Sequence, residues 1–138
     1  MEGMNGKIGI VGGTGTLGLK MAESLAWSQN KGTVWVSSAS GDFAKAQRRL
    51  PAGVNFTTDN QRLVDQCDVV VMSVMADVFR GLDLRIPADR LLISPMAGVG
   101  IDEIRSKTGL EAIVVCMPTV AAAIGASPTA YVMSSGVS

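Results

Sequence analysis

Four glycines fall within seven residues near the N-terminus, Gly12-Gly13-Thr14-Gly15-Thr16-Leu17-Gly18, and this is the segment best suited to chemistry. Gly13, Gly15 and Gly18 fit G-x-G-x-x-G, and Gly12, Gly15 and Gly18 fit the looser G-x-x-G-x-x-G. Both spacings serve one purpose. A pyrophosphate needs backbone N–H groups at close range, and a β-carbon would block that approach. A helix starting just after the glycines turns its positive end and its unpaired N–H groups toward the anion. The third glycine of such a run lets that helix pack closely on the preceding strand.

The rest of the inventory is informative by what it lacks. The chain contains no histidine, which removes imidazole bases, imidazole metal ligands and any Ser-His-Asp triad. The single tyrosine, Tyr131, has no lysine four residues beyond it, so the Tyr-x-x-x-Lys acid of short-chain dehydrogenases is missing. Cys67 and Cys116 match no metal-ligand spacing and read as reduced core thiols. No catalytic residue and no metal site is assigned. The hard chemistry falls to a bound cofactor, which the protein orients.

The elements that must hold this loop follow from the hydrophobic pattern. Ile8 to Val11 is a short apolar run that reads as a buried strand, broken at once by the glycines. A helix is expected from about Leu17 to Trp27, stacking Leu17, Met21 and Leu25 on one face. Thr33 to Ser37 is a second strand. A helix over about Asp42 to Leu50 stops at Pro51, and Val54 to Thr57 is a third strand. Asp59 is placed to cap a short helix through Leu63 and Val64. Asp68 to Val74 is a continuous apolar run, as in a central strand covered on both faces. Leu91 to Ser94, Ile113 to Met117 and Thr129 to Met133 complete the strands, and a helix from Ile101 to Thr108 ends at Gly109.

Strands alternating with helices imply an α/β fold with a doubly wound, mostly parallel sheet, the Rossmann arrangement. Ligands then bind at the carboxyl ends of the strands. Those ends are Gly12–Gly15, Ser37–Ser40, Ser73–Met75, Ser94–Gly98 and Met117–Thr119, each small or polar where the apolar run stops.

The second of them bears on which dinucleotide fits. An NAD site commonly has a carboxylate there for the ribose hydroxyls. This chain has Ser37-Ser38-Ala39-Ser40, with no acid before Asp42. Hydroxyls can donate to a 2′-phosphate that a carboxylate would repel, so NADP is preferred over NAD. Lys45, Arg48 and Arg49 follow on the next helix, the two arginines as a solvated face.

The totals set bounds. A length of 138 residues suits one domain over residues 1–138. Twelve basic and twelve acidic residues balance, which gives no electrostatic case for nucleic acid or a membrane surface. No apolar run reaches the length of a membrane span, and residues 1–6 lack the features of a signal peptide, so the cytoplasm is the expected compartment.

Taken together, Ile8-Gly9-Ile10-Val11-Gly12, Asp68-Val69-Val70-Val71, Ser94 with Ala97-Gly98-Val99, and Met117-Pro118 followed by Ala123-Ile124-Gly125-Ala126 and Thr129-Ala130 resemble pyrroline-5-carboxylate reductase. The glycine loop, one residue longer than usual there, looks more like the related deazaflavin-dependent NADP oxidoreductases. The resemblance implies an N-terminal Rossmann domain, NAD(P)H binding, and hydride transfer to a cyclic imine, a small-molecule substrate, yielding proline. The cofactor contacts expected on these grounds are Gly12, Gly13, Thr14, Gly15, Thr16, Leu17, Ser37, Ser38, Ser73, Val74, Met75, Ala97, Gly98 and Pro118. Ser73, Ser94 and Thr119 are candidate positioning hydroxyls.

Departures from the family pattern stand out at two places. The family's lysine-proline pair after the fourth strand is Met75-Ala76 here, and its Met-Pro-Asn is Met117-Pro118-Thr119. The chain ends about where the family's helical C-terminal domain begins, the part that builds the dimer and much of the substrate pocket. Apolar residues near Tyr131–Met133 are therefore expected at the surface, favouring a weak homodimer. A non-catalytic NADP-binding module and a deazaflavin-dependent enzyme are the alternative readings.

Overall fold

A computed structural model describes residues 6–27, 33–38, 48–117 and 130–137. Among the described residues seven strands form one sheet: β1 (Ile8–Val11), β2 (Val34–Ser37), β3 (Asn55–Thr57), β4 (Val69–Met72), β5 (Leu91–Ser94), β6 (Ile113–Met117) and β7 (Ala130–Met133). Their order is β3-β2-β1-β4-β5-β6-β7. The first six are parallel, and β7 runs antiparallel to β6, pairing Val114 with Met133 and Cys116 with Tyr131. The chain reverses direction across the sheet between β1 and β4, the switch point where doubly wound folds open a crevice.

The helices whose full extent lies among the described residues are α1 (Thr16–Trp27), α2 (Asn60–Gln66), α3 (Ala76–Gly81) and α4 (Ile101–Thr108). Asp59 caps α2 as the sequence predicts, its carboxylate accepting the N–H groups of Gln61 at 2.9 Å and Arg62 at 3.1 Å. Gly109, at φ 74°, ends α4 in the left-handed conformation that glycine tolerates. The expected helix over 42–50 lies mostly outside the described residues; Arg48 and Arg49 are helical and exposed.

Each face of the sheet has its own apolar cluster. Val11, Val70, Met72 and Leu92 pack with Leu63 and Val64 of α2, Cys67 just after it, Phe79 of α3 and Ile104 of α4. Ile10, Val36 and Val71 pack with Ala22 of α1, with Met21 and Leu25 beside them. All four residues of β4 are buried, as a strand covered on both faces requires.

The structure corrects two expectations. The β4 run is shorter than Asp68 to Val74, because Ser73 and Val74 already belong to the turn that follows. The stripe of α1 buried against the sheet is Gly18 and Ala22; Leu17 lies to its side. The structure also adds α3, which has no clear sequence signature. It spans only six residues, and its N-cap, Met75, makes no side-chain cap.

At the β7 edge Tyr131, Val132 and Met133 are at least half exposed, with Met117 beside them on β6. No helix among the described residues is long and apolar enough to cross a membrane.

Candidate dinucleotide cleft

β1 stops at Val11 because Gly12 turns the chain at φ 76°. A β-carbon there would lie 2.4 Å from the Ser73 carbonyl oxygen. The N–H groups of Gly12 and Gly13 both donate to the Ser37 carbonyl, at 3.0 and 3.1 Å, fastening the loop to the end of β2. Gly15 N–H donates to the Gly12 carbonyl at 3.1 Å, and Leu19 N–H makes the first helical bond to the Gly15 carbonyl at 2.8 Å. The first-turn N–H groups of Thr16, Leu17 and Gly18 therefore precede the helical ladder and face its open N-terminal end.

Gly15 differs from its neighbours. A β-carbon on Gly13 would lie 2.5 Å from Val36 Cγ1, and one on Gly18 would lie 2.7 Å from the Gly12 carbonyl oxygen. The fold itself demands those glycines. A β-carbon on Gly15 would meet only the Gly12 oxygen, at 3.5 Å, an ordinary contact. Packing within the protein does not explain a glycine at 15; close approach of a ligand does.

Above Gly15 opens a cleft of about 460 Å³. One wall is residues 15–18, the second is residues 73–77 and the third is residues 95–97. It brings together the predicted Gly15, Thr16, Leu17, Ser73, Val74, Met75 and Ala97. Pro95 and Met96, inside the expected strand end Ser94–Gly98, also line it, as does Asp77, which no feature of the sequence singled out. Asp77 is the one ionisable side chain among these lining residues, and none of them is basic. An anion held here rests on N–H groups and the helix end. The residues thus fit a pyrophosphate.

Other predicted residues sit elsewhere. Gly12 and Gly13 lie in the turn beneath the loop. Thr14 sits in the same turn and does not line the cleft. Ser37 is fully buried and its hydroxyl donates to Asn60 Oδ1 at 2.7 Å; Ser38 is nearly buried. Gly98, at φ 76°, is exposed just past the third wall. Ser94 is buried, and its Oγ accepts the Met96 N–H at 3.3 Å, so it shapes the turn that carries the third wall. Pro118 and Thr119 lie outside the described residues.

Behind the cleft, Arg80 of α3 pairs with Glu103 of α4 at 2.6 Å. The hydrogen bond from Arg80 holds the Glu103 carboxyl below its ordinary value, with slight burial opposing. The Cys67 thiol, packed beneath β1, is pushed up to about 11, chiefly by burial.

Sheet order and cleft together define a Rossmann-type domain. The chain belongs to the family described as NADP oxidoreductase coenzyme F420-dependent, whose model matches residues 7–98. A pyrroline-5-carboxylate reductase from Pisum sativum is 30% identical over 125 residues, covering 85% of this chain and 45% of that protein. A crystal structure of 1-pyrroline-5-carboxylate reductase from Streptococcus pyogenes superposes with a TM-score of 0.81 at 25% identity, covering 96% of this chain and 50% of that one. The Plasmodium falciparum pyrroline carboxylate reductase, solved with NADP bound, has the same fold, with a TM-score of 0.75 at 23% identity over 99% of this chain and 51% of that one. The chain thus spans about half the length of the relatives it matches.

Proposed function

We propose that this chain is the NADP(H)-binding domain of a reductase of the pyrroline-5-carboxylate reductase type, a single domain over residues 1–138. The observation that carries the reading is Gly15: a glycine the fold does not require, at a helix N-terminus, open to a cleft at the sheet's switch point. The family match supports NADP as the cofactor.

When bound, the cofactor supplies the hydride. The chain's residues do the rest by position. The first turn of α1 holds the pyrophosphate, and Gly12, Gly13 and Thr14 shape the loop beneath it. Ser37 and Ser38 close the adenosine end, with no carboxylate to repel a 2′-phosphate. Ser73, Val74 and Met75 form one side of the nicotinamide end, with Ala97 and Gly98 on the other; Pro118, expected there from the sequence, lies outside the described residues. A cyclic imine that arrives protonated accepts hydride with little help from an acid, which suits a site without histidine. Proline is then the product, the compartment is the cytoplasm, and the exposed Tyr131–Met133 edge supports weak self-association.

The family match to F420-dependent enzymes, with the glycine loop inside it, favours a second reading in which a deazaflavin exchanges hydride with NADP. The test offers both acceptors, pyrroline-5-carboxylate and oxidised deazaflavin, to the whole protein containing this domain, with NADPH as donor. Oxidation of NADPH by the imine supports the first reading. Oxidation by the deazaflavin alone supports the second. NADPH binding with neither acceptor reduced points to the non-catalytic module.

A further inference from the structure

The second and third walls of the cleft come from separate turns, and no strand joins them at that level. The Arg80 side chain bridges the elements behind them. Arg80 sits one turn past Asp77 on α3, the helix that grows out of the second wall. Its Nε donates to Glu103 Oε1 at 2.6 Å and its Nη2 to Glu103 Oε2 at 3.3 Å, a two-pronged grip on the first turn of α4. The same Nη2 reaches the Gly98 carbonyl at 3.4 Å, directly after the third wall. Its Nη1 stands 3.8 Å from Asp77, the ionisable group that lines the cleft. From α4, Lys107 Nζ returns to the Arg80 carbonyl at 3.0 Å.

We propose that Arg80 is a positioning residue for the cofactor, fixing the gap between residues 73–77 and residues 95–97 through Glu103 and the Gly98 carbonyl. The planar fork matters, since only a guanidinium can grip both carboxylate oxygens while a further N–H reaches a carbonyl. The pair is solvent-exposed and contributes little to global stability. Its effect is local: Gly98 is in a left-handed turn with open space around it, and Arg80 is what reaches over to hold its carbonyl. This inference rests on the cleft being the NADP(H) site.

The experiment compares the wild-type chain with Arg80→Ala, Arg80→Lys, Glu103→Gln and the double variant Arg80→Ala/Asp77→Asn. NADPH affinity, melting temperature and amide exchange at residues 96–99 are measured for each. Positioning predicts that Arg80→Ala weakens NADPH by about threefold or more, with a melting temperature within about 3 °C of wild type and faster exchange at 96–99. Arg80→Lys, which keeps the charge and loses the fork, stays weakened, and Glu103→Gln follows it.

Wild-type affinity in Arg80→Ala overturns the proposal. So does full restoration of binding in the double variant, which would trace the effect to an unpaired Asp77 charge. A larger fall in melting temperature also overturns it, because the role is then structural. Should the wild type itself not bind NADPH, the functional reading fails separately. Exchange at 96–99 then decides the brace alone: unchanged exchange in Arg80→Ala overturns it.

Discussion

The carbonyl oxygen of Gly12 lies 2.7 Å from where a β-carbon on Gly18 would stand, so the loop and the first turn of α1 touch backbone to backbone. Gly15, between them, has no such neighbour on the protein side. The two glycines are therefore predicted to fail differently. Gly18→Ala forces loop and helix apart and costs about 1–3 kcal/mol of stability. Gly15→Val leaves the fold near wild-type stability but fills the phosphate approach, and NADPH affinity falls at least about tenfold, about 1.4 kcal/mol. Denaturation curves and calorimetric titration of both variants check this. Unchanged affinity in Gly15→Val would reduce the loop to a turn.

Cofactor choice turns on the end of β2. Ser37→Asp is expected to shift preference from NADPH toward NADH, by placing a negative charge beside the adenosine ribose. The structure adds a cost. Ser37 is buried and bonded to Asn60, so the variant also loses about 1–3 kcal/mol of stability. Titrating both cofactors against protein verified as folded measures the shift. A preference equal to wild type would mean that Ser37 does not face the ribose.

The alternation of strands and helices, the capping Asp59 and the stopping Gly109 were all legible in the sequence, because each depends on local chemistry that a short window contains. The convergence of Gly15, Ser73 and Ala97 on one cleft was legible for a different reason: the doubly wound topology brings strand ends together whatever the side chains. What escaped depends on where side chains turn once the chain is folded. Ser37 and Ser94 are polar residues at strand ends, yet their hydroxyls serve Asn60 and the Met96 N–H. Helix α3 is too short to show a period, and it places Asp77 in the cleft and Arg80 behind it. Leu17 fits the apolar stripe of α1 by spacing, yet the residues that α1 buries are Gly18 and Ala22, and Leu17 lines the cleft.

Thiol chemistry tests the packing of α2 under β1. Cys67 is buried, and its thiol ionises only near 11, against 9.0 for a free thiol. The folded state therefore holds this proton more tightly than the unfolded state does. The associated stability is fully present below about pH 9 and is lost as pH rises toward 11. Native protein at neutral pH should leave Cys67 unmodified by iodoacetamide, with labelling appearing on unfolding. Rapid native labelling would contradict the packing of this helix.

The 138-residue chain, assayed alone, is expected to reduce pyrroline-5-carboxylate slowly, below about one turnover per second. Hydride transfer needs the imine carbon held against the nicotinamide, and such positioning supplies many kcal/mol of the barrier. The cleft walls at Gly15 to Gly18 and Ser73 to Asp77 are those proposed to hold the cofactor, not the imine. Steady-state kinetics with NADPH and the imine measure this. Turnover in the ordinary enzyme range would show that these residues suffice.

Whether the cleft above Gly15 takes NADP(H) is decided by calorimetric titration of NADPH and NADH into the wild-type chain. The expected result is one NADPH bound per chain, more tightly than NADH. Absence of binding by either dinucleotide, or tighter binding of NADH, would contradict it.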